Sequence, residues 1–219
     1  MKSSLRLIVF DLDGTLVDSR RDLADSANAL LEACGAAALS EEAIGQMVGD
    51  GAATLVARAF AASGRKPPDD ALGRFLAIYD QRLLNHTRPY PKIADVLAEL
   101  GTRAELAVLT NKPLDATRRV LAGLGLARHF PHDRVVGGDG PFARKPDPAG
   151  LRHLMAAAGV TPGETALVGD SVIDWRTARN AGTRVYLARY GFGFEGFPID
   201  QLKDGESIVD RPEHLCAMP

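Results

Sequence analysis

The sequence predicts an α/β fold: a doubly wound parallel sheet with a block of helices inserted after its first strand. Three observations predict it. Short apolar runs alternate with amphipathic helical patterns, the order from which parallel sheets are built. Each run ends in polar or glycine residues, as strands buried on both faces do. Residues 11–105 separate the first run from the second, whereas a crossover needs only about a dozen residues.

Residues 5–10 (LRLIVF) form the first strand. Ser19 followed by Asp22 has the spacing of a capping box and opens a helix. Leu23, Ala27, Leu30, Leu31 and Cys34 share one face of that helix, and Gly35 ends it. Ser40 before Glu41 and Glu42 starts a second helix. Residues 51–62 and 70–85 make two more, divided by Pro67 and Pro68. Residues 19–88 are therefore a helical insert, and residues 88–91 are the return hinge. The remaining core, residues 1–18 and 89–219, places strands at 106–109, 134–136, 166–168 and 184–188. Helices at 93–100, 114–124, 148–158 and 173–181 lie between them. Gly101, Gly125, Gly159 and Gly182 follow these helices, where a left-handed end favours glycine.

The 219 residues and 23.3 kDa suit one large domain or one domain carrying an insert. A chain that is 46% hydrophobic and 25% charged is neither disordered, collagenous nor a coiled coil. A formal net charge of -2 offers no general attraction to nucleic acid or to an anionic membrane. Cys34 and Cys216 are too few and too far apart for a disulfide framework or a zinc site. Cys34 is expected to be buried in its helix, and Cys216 to be incidental. Residues 5–10 are too short for a signal sequence, and no run approaches the roughly 20 apolar residues of a membrane span. The expected setting is the reducing cytoplasm, and the expected state a monomer or weak dimer.

The chemistry gathers at predicted strand ends, where open α/β sheets bind ligands. Asp11-Leu12-Asp13-Gly14-Thr15 follows the first strand. A turn accounts for Gly14 but not for Asp11, and two carboxylates so close are costly unless a cation joins them. Gly169-Asp170 ends a later strand, and Asp174 lies four residues on. If Ser171 opens a helix, Asp170 and Asp174 project to one side. Four carboxylates at one sheet edge imply a hard cation with oxygen ligands, Mg²⁺ above all. Thr110-Asn111-Lys112 ends the second core strand, and Lys145-Pro146 lies in a loop between strands. A hydroxyl, an amide, backbone N–H groups and an ammonium can hold an anion there. Together these parts suit phosphoryl transfer. Phosphate-monoester hydrolysis calls for acceleration as large as ~10²¹-fold, about 28 kcal/mol, beyond any single group. A covalent nucleophile, a metal, a fixed cation and positioning can supply it jointly.

The ordered set DLDGT, TN, KP and GDxxxD resembles the haloacid dehalogenase superfamily of aspartyl-phosphate phosphatases over residues 7–190. The resemblance implies a Rossmann-like core with a helical cap. It implies that Asp11 is the nucleophile and that Asp13 is the general acid and base. Asp11, the Asp13 carbonyl and Asp170 would ligate Mg²⁺, with Asp174 acting through water or as an orienting group. Thr110, Asn111 and Lys145 would hold the phosphate, with Lys145 also steadying Asp11. MVGDGA (47–52), LTNKP (109–113), VGGD (136–139) and KPDP (145–148) look most like the branch that hydrolyses 2-phosphoglycolate. The small phosphorylated substrate would then be chosen by the cap. Lys112, Arg58, Arg65 and the backbone of residues 48–51, Gly49 included, are the candidates to meet its carboxylate. Other phosphate esters, a mutase and a phospho-binding module are the alternatives, although receiver modules lack so large an insert. Asp13 argues against a dehalogenase, which typically lacks that second carboxylate. Trp175 is expected to pack at the floor of the site. Residues 190–199 (YGFGFEGFPI) read as surface or core packing rather than as part of the site mouth, and the apolar Pro141-Phe142-Ala143 before Arg144 leaves any partner of Lys145 besides Asp11 open. Hinges near residues 17–20 and 87–91 are expected to open and close the cap.

Overall fold

Leu7, Ile8, Val9 and Phe10 of β1 (Leu7–Phe10) are almost wholly shielded from solvent, and the rest of the fold is built around this strand. The computed structural model describes residues 4–219. β1 pairs in parallel with β4 (Glu105–Leu109) on one side and with β6 (Thr165–Gly169) on the other. β5 (Val135–Val136) extends the sheet beyond β4, and β7 (Arg184–Ala188) and β8 (Glu206–Val209) extend it beyond β6. The resulting order is β5-β4-β1-β6-β7-β8, parallel throughout.

Alternate residues of β1 enter different cores, as a strand period of two requires. Ile8 and Phe10 pack with α5 (Ile93–Leu100), α6 (Leu114–Gly123) and the helical insert. Leu7 and Val9 pack with Leu151 and Leu154 of α7 (Ala149–Ala158) and with Trp175 of α8 (Val172–Ala181). The sheet is thus covered on both faces, as the alternation of runs and helices predicts.

A two-strand antiparallel ribbon, β2 (Val17–Asp18) with β3 (Arg88–Pro89), brackets the insert at the expected hinges. Between them lie α1 (Arg20–Ala33), α2 (Glu41–Gly45), α3 (Ala52–Ala62) and α4 (Ala71–Asp80). Leu30, Leu31, Phe60 and Phe75 are buried among these helices, in the same apolar cluster as Ile8 and Phe10. Ser40 caps α2 by accepting from the Ala43 N–H.

Several expectations change. Ser19 and Asp22 form no capping box. The Ser19 hydroxyl donates to Asp13 Oδ1 at 2.6 Å instead. Buried Asp22 accepts from the backbone N–H groups of His86 and Thr87 and from the Thr87 hydroxyl. Asp22 therefore ties the outgoing helix to the returning strand. Gly125, Gly159 and Gly182 are left-handed, but Gly101 has φ -64 and ends α5 in a right-handed turn. The long fourth helix stops at Asp80, and tight turns continue to residue 85. Cys34 is half-buried at the end of α1 rather than inside it, and both cysteines are free. β8, absent from the expectation, is a short edge strand carrying Glu206 and Ser207. Its mixed polarity hides the strand pattern. No helix among the described residues is long and apolar enough to cross a membrane.

Candidate active site

The carboxyl ends of β1, β4 and β6 meet at one edge of the sheet, and the motifs are brought together there. Asp11 leaves β1 with its N–H donating to Val168 O at 2.8 Å, and its side chain is buried. The chain then turns at Gly14, whose φ is +87 and where a Cβ would stand 1.9 Å from Asp170 Oδ2. Only glycine fits that position. Asp170 follows β6 and is buried, and Thr15 Oγ1 lies 3.5 Å from its Oδ1.

Ser171 opens α8 as expected. Asp174 Oδ2 accepts from the Ser171 N–H at 3.2 Å and from its hydroxyl at 2.6 Å. The Asp174 carboxyl lies over Gly169, where a Cβ would be 2.2 Å from its Cγ. Asp11, Asp170 and Asp174 each offer an oxygen within 4.8 Å of the others. Lys145 has two partners: its Nζ lies 2.8 Å from Asp11 Oδ1 and 2.6 Å from Asp174 Oδ1. Both anions are within contact, so its ammonium is held well above the ordinary range although burial opposes the charge.

One ammonium does not balance three carboxylates. Burial pushes the Asp11 carboxyl up to about 7, with Lys145 opposing and the charges of Asp174 and Asp13 adding to the rise. Burial, with Asp174 and Asp11 nearby, likewise holds Asp170 well above the usual carboxylate range. Crowded, buried oxygen ligands with excess negative charge are the donor set of a hard divalent cation. The residues present therefore fit a metal site.

Asp13 stands apart from this cluster. Its carboxylate accepts from Ser19 and from Lys112 Nζ, at 3.0 and 3.1 Å. Thr110 follows β4 and is buried, and its Oγ1 accepts the Lys112 N–H at 3.2 Å. Asn111, expected on phosphate, has its side chain engaged on backbone. Its Nδ2 donates to Gly49 O at 2.8 Å and to Lys145 O at 3.0 Å, and its Oδ1 accepts the Lys145 N–H at 2.9 Å. Both amide hydrogens are spent on backbone, so the Asn111 side chain ties the insert to the lysine loop. The VGGD stretch supports the segment after β4: Gly138 N–H donates to Lys112 O, and Asp139 accepts the Leu114 N–H.

A cavity of about 50 Å³ opens on Asp11, Asp13, Thr110, Asn111 and Lys112. The insert closes it with Val48, Gly49 and Gly51, and with Leu55, Phe75 and Tyr79. Arg58 does not line it. That guanidinium pairs with Asp50 at 2.6 Å and donates to Met47 O, bracing the loop of residues 47–50 from outside. Arg65 is exposed and also outside the lining.

Residues 190–199 contribute to the site after all. Gly193 N–H donates to Asp170 Oδ2 at 2.7 Å. A Cβ at Gly191 would lie 2.2 Å from Gly14 O. Phe194 and Phe197 meanwhile stack and pack against Trp175, which is buried beneath the site as expected. The Gly-x-Gly spacing was the available signal for a close backbone approach. Tyr79 and Ser19 carried none, because each reads as an ordinary helix or cap residue until the insert folds back.

Residues 8–188 match the family model described as haloacid dehalogenase-like hydrolase. The chain is 45% identical over 206 residues to the phosphoglycolate phosphatase of Rhodospirillum rubrum, spanning 90% of this chain and 84% of that one. It is 38% identical over 227 residues to phosphoglycolate phosphatase 1 of Pseudomonas aeruginosa, spanning 96% and 82%. Its fold matches the crystal structure of a predicted phosphoglycolate phosphatase from Haemophilus somnus with a TM-score of 0.86, 32% identity and 96% of each chain covered.

Proposed function

The chain belongs to the haloacid dehalogenase-like hydrolases, and from that membership we propose that it hydrolyses 2-phosphoglycolate to glycolate and phosphate through an aspartyl-phosphate on Asp11, with Mg²⁺. It is a phosphoric monoester hydrolase acting on a small phosphorylated substrate. The observation that carries the finer reading is one geometry. Asp11 faces the cavity beside Asp13 and Thr110, while Lys145, Asp170 and Asp174 back it from the buried side.

In this reading an Asp11 oxygen attacks phosphorus as the ester P–O bond breaks, and Asp13 passes a proton to the departing glycolate oxygen. Asp13 then takes a proton from water, whose oxygen displaces the Asp11 carboxylate from phosphorus. Phosphate leaves and both groups are restored. Ser19 and Lys112 hold Asp13 in place for both transfers. Lys145 steadies Asp11 and offsets its charge against the phosphate. Asp11, the Asp13 carbonyl and Asp170 would hold Mg²⁺, with Asp174 acting through water or through its bond to Lys145. The bound ion supplies the positive charge that lets a carboxylate approach an anionic phosphoryl group. The Thr110 hydroxyl and the backbone at the end of β4 receive the phosphate. Residues 19–88 serve as a cap on the hinges at β2 and β3, excluding water when closed.

The test is phosphate release from a panel of monoesters, with and without EDTA, by the wild type and Asp11→Asn. A preference for 2-phosphoglycolate is expected, with turnover roughly 10⁴-fold or more lower in the variant and lost in EDTA. A broad panel with the same dependences would remove the substrate and keep the mechanism. Near-full activity of Asp11→Asn would remove the mechanism.

A further inference from the structure

The cavity is unevenly furnished. Leu23, Leu55, Phe75 and Leu76 make apolar walls, and Asp11 and Asp13 bring negative charge to its floor. Among the described residues that line it, Lys112 is the one cation. Its Nζ reaches both oxygens of Asp13 and donates to the Tyr79 hydroxyl, and it stands 4.5 Å from the centre of the Tyr79 ring. Tyr79 comes from α4 of the insert, is 4% exposed, and stacks on Phe75 at 5.9 Å and 11°. The Tyr79 oxygen accepts from Lys112, and its own hydrogen finds no acceptor among the described residues.

A buried hydroxyl hydrogen without an acceptor is costly unless something arrives to take it. A buried ammonium beside it sets the sign of that arrival. An anionic tail entering between apolar walls meets both donors at one point, a match for the two oxygens of a carboxylate. Arg58, paired with Asp50, and Lys145, paired with Asp11 and Asp174, lie outside the cavity lining, whereas Lys112 faces the cavity while paired with Asp13.

We propose that Tyr79 and Lys112 together form the subsite for the substrate carboxylate, so that Tyr79 is a specificity-determining residue supplied by the insert. This rests on the 2-phosphoglycolate reading above. The core alone holds only half of the subsite. Recognition of the tail is complete only when α4 lies against the end of β4, so selection and closure are one event.

The experiment compares kcat/KM for 2-phosphoglycolate with that for 2-hydroxyethyl phosphate, whose tail is similar in length but neutral, in wild type and Tyr79→Phe. Each ratio comes from a single protein sample, so a misfolded fraction cancels. Tyr79→Phe keeps the stacked ring and removes the donor. Because a hydrogen bond to a charged group is worth roughly ten- to a hundredfold, the ratio is expected to fall at least tenfold, mainly through KM. Lys112→Gln is expected to lower it as well. If wild type prefers 2-phosphoglycolate and Tyr79→Phe keeps the ratio within twofold, the subsite is wrong and the substrate reading stands. If wild type shows no preference for the carboxylated ester, the substrate reading fails and the subsite fails with it.

Discussion

Asn111 shows how one side chain acquires a task its motif does not announce. Beside Thr110 it invites a role on phosphate, yet its amide holds Gly49 O and both backbone groups of Lys145. The residue thereby fixes the backbone from which Lys145 reaches Asp11 and Asp174. Asn111→Ala leaves these buried backbone groups without partners. It is expected to cost about 1–3 kcal/mol of stability, read from the urea midpoint, and to lower kcat in the same preparation. A variant with wild-type stability and turnover would show that the clamp is dispensable. Asp11 and Asp13 were legible because two carboxylates so close at a strand end are costly in a stable loop, whereas Asp170 and Lys145 gained weight only from their order along the chain with the other motifs. The side-chain bonds of Asn111 were not legible because their partners come from segments distant in sequence.

β8 teaches a related lesson one level up. The strand is short, lies at the sheet edge and reads as polar, so no period marks it. Its place is secured by Glu206, whose carboxylate accepts from Arg179 of α8 at 2.6 and 2.9 Å and from the Lys203 N–H. Although partial burial opposes ionisation, these bonds hold the Glu206 carboxyl down at about 2. The unfolded chain binds that proton nearer pH 4.5, so between these values the unfolded state carries more protons. The pair's stabilisation is therefore full above pH 4.5 and is lost as pH falls towards 2. Glu206→Gln is expected to flatten that part of the stability–pH curve, measured by urea unfolding at pH 5, 4 and 3. Parallel curves for the two proteins would mean that Arg179 contributes nothing through charge. The insert's helices were legible from their faces and breakers. The latch of Asp22 on His86 and Thr87 was not, because Asp22 also satisfies a local capping rule.

Taken whole, the molecule places excess negative charge in its interior at the end of the sheet. Asp11, Asp170 and Asp174 outnumber Lys145, and a divalent cation relieves that excess only in the folded chain. Mg²⁺ should therefore stabilise the fold by mass action. At about 100 times its dissociation constant the gain is about 2.7 kcal/mol, or roughly 5–10 °C in Tm for a chain of this size. Calorimetry with EDTA and with Mg²⁺ is expected to show this rise, and Asp170→Asn to abolish it. An unchanged Tm, or an equal rise in the variant, would place the ion elsewhere.

The sequence by itself determined the fold class, five of the six sheet strands, the carboxylates at strand ends and the family. Each depends on local pattern: apolar runs, helix punctuation and carboxylates at strand ends. Beyond the Lys145–Asp11 contact that the resemblance implies, only the tertiary structure decided which groups pair at the sheet edge. Lys145 also found Asp174, Lys112 found Asp13 and Tyr79, and Gly193 found Asp170. Most of these pairings join segments far apart in the chain and form within the core where its strand ends converge, and the Tyr79 contact alone depends on the insert lying against the sheet edge. Their energy comes from burial and from distances of a few ångströms, and neither is encoded in any single stretch of residues.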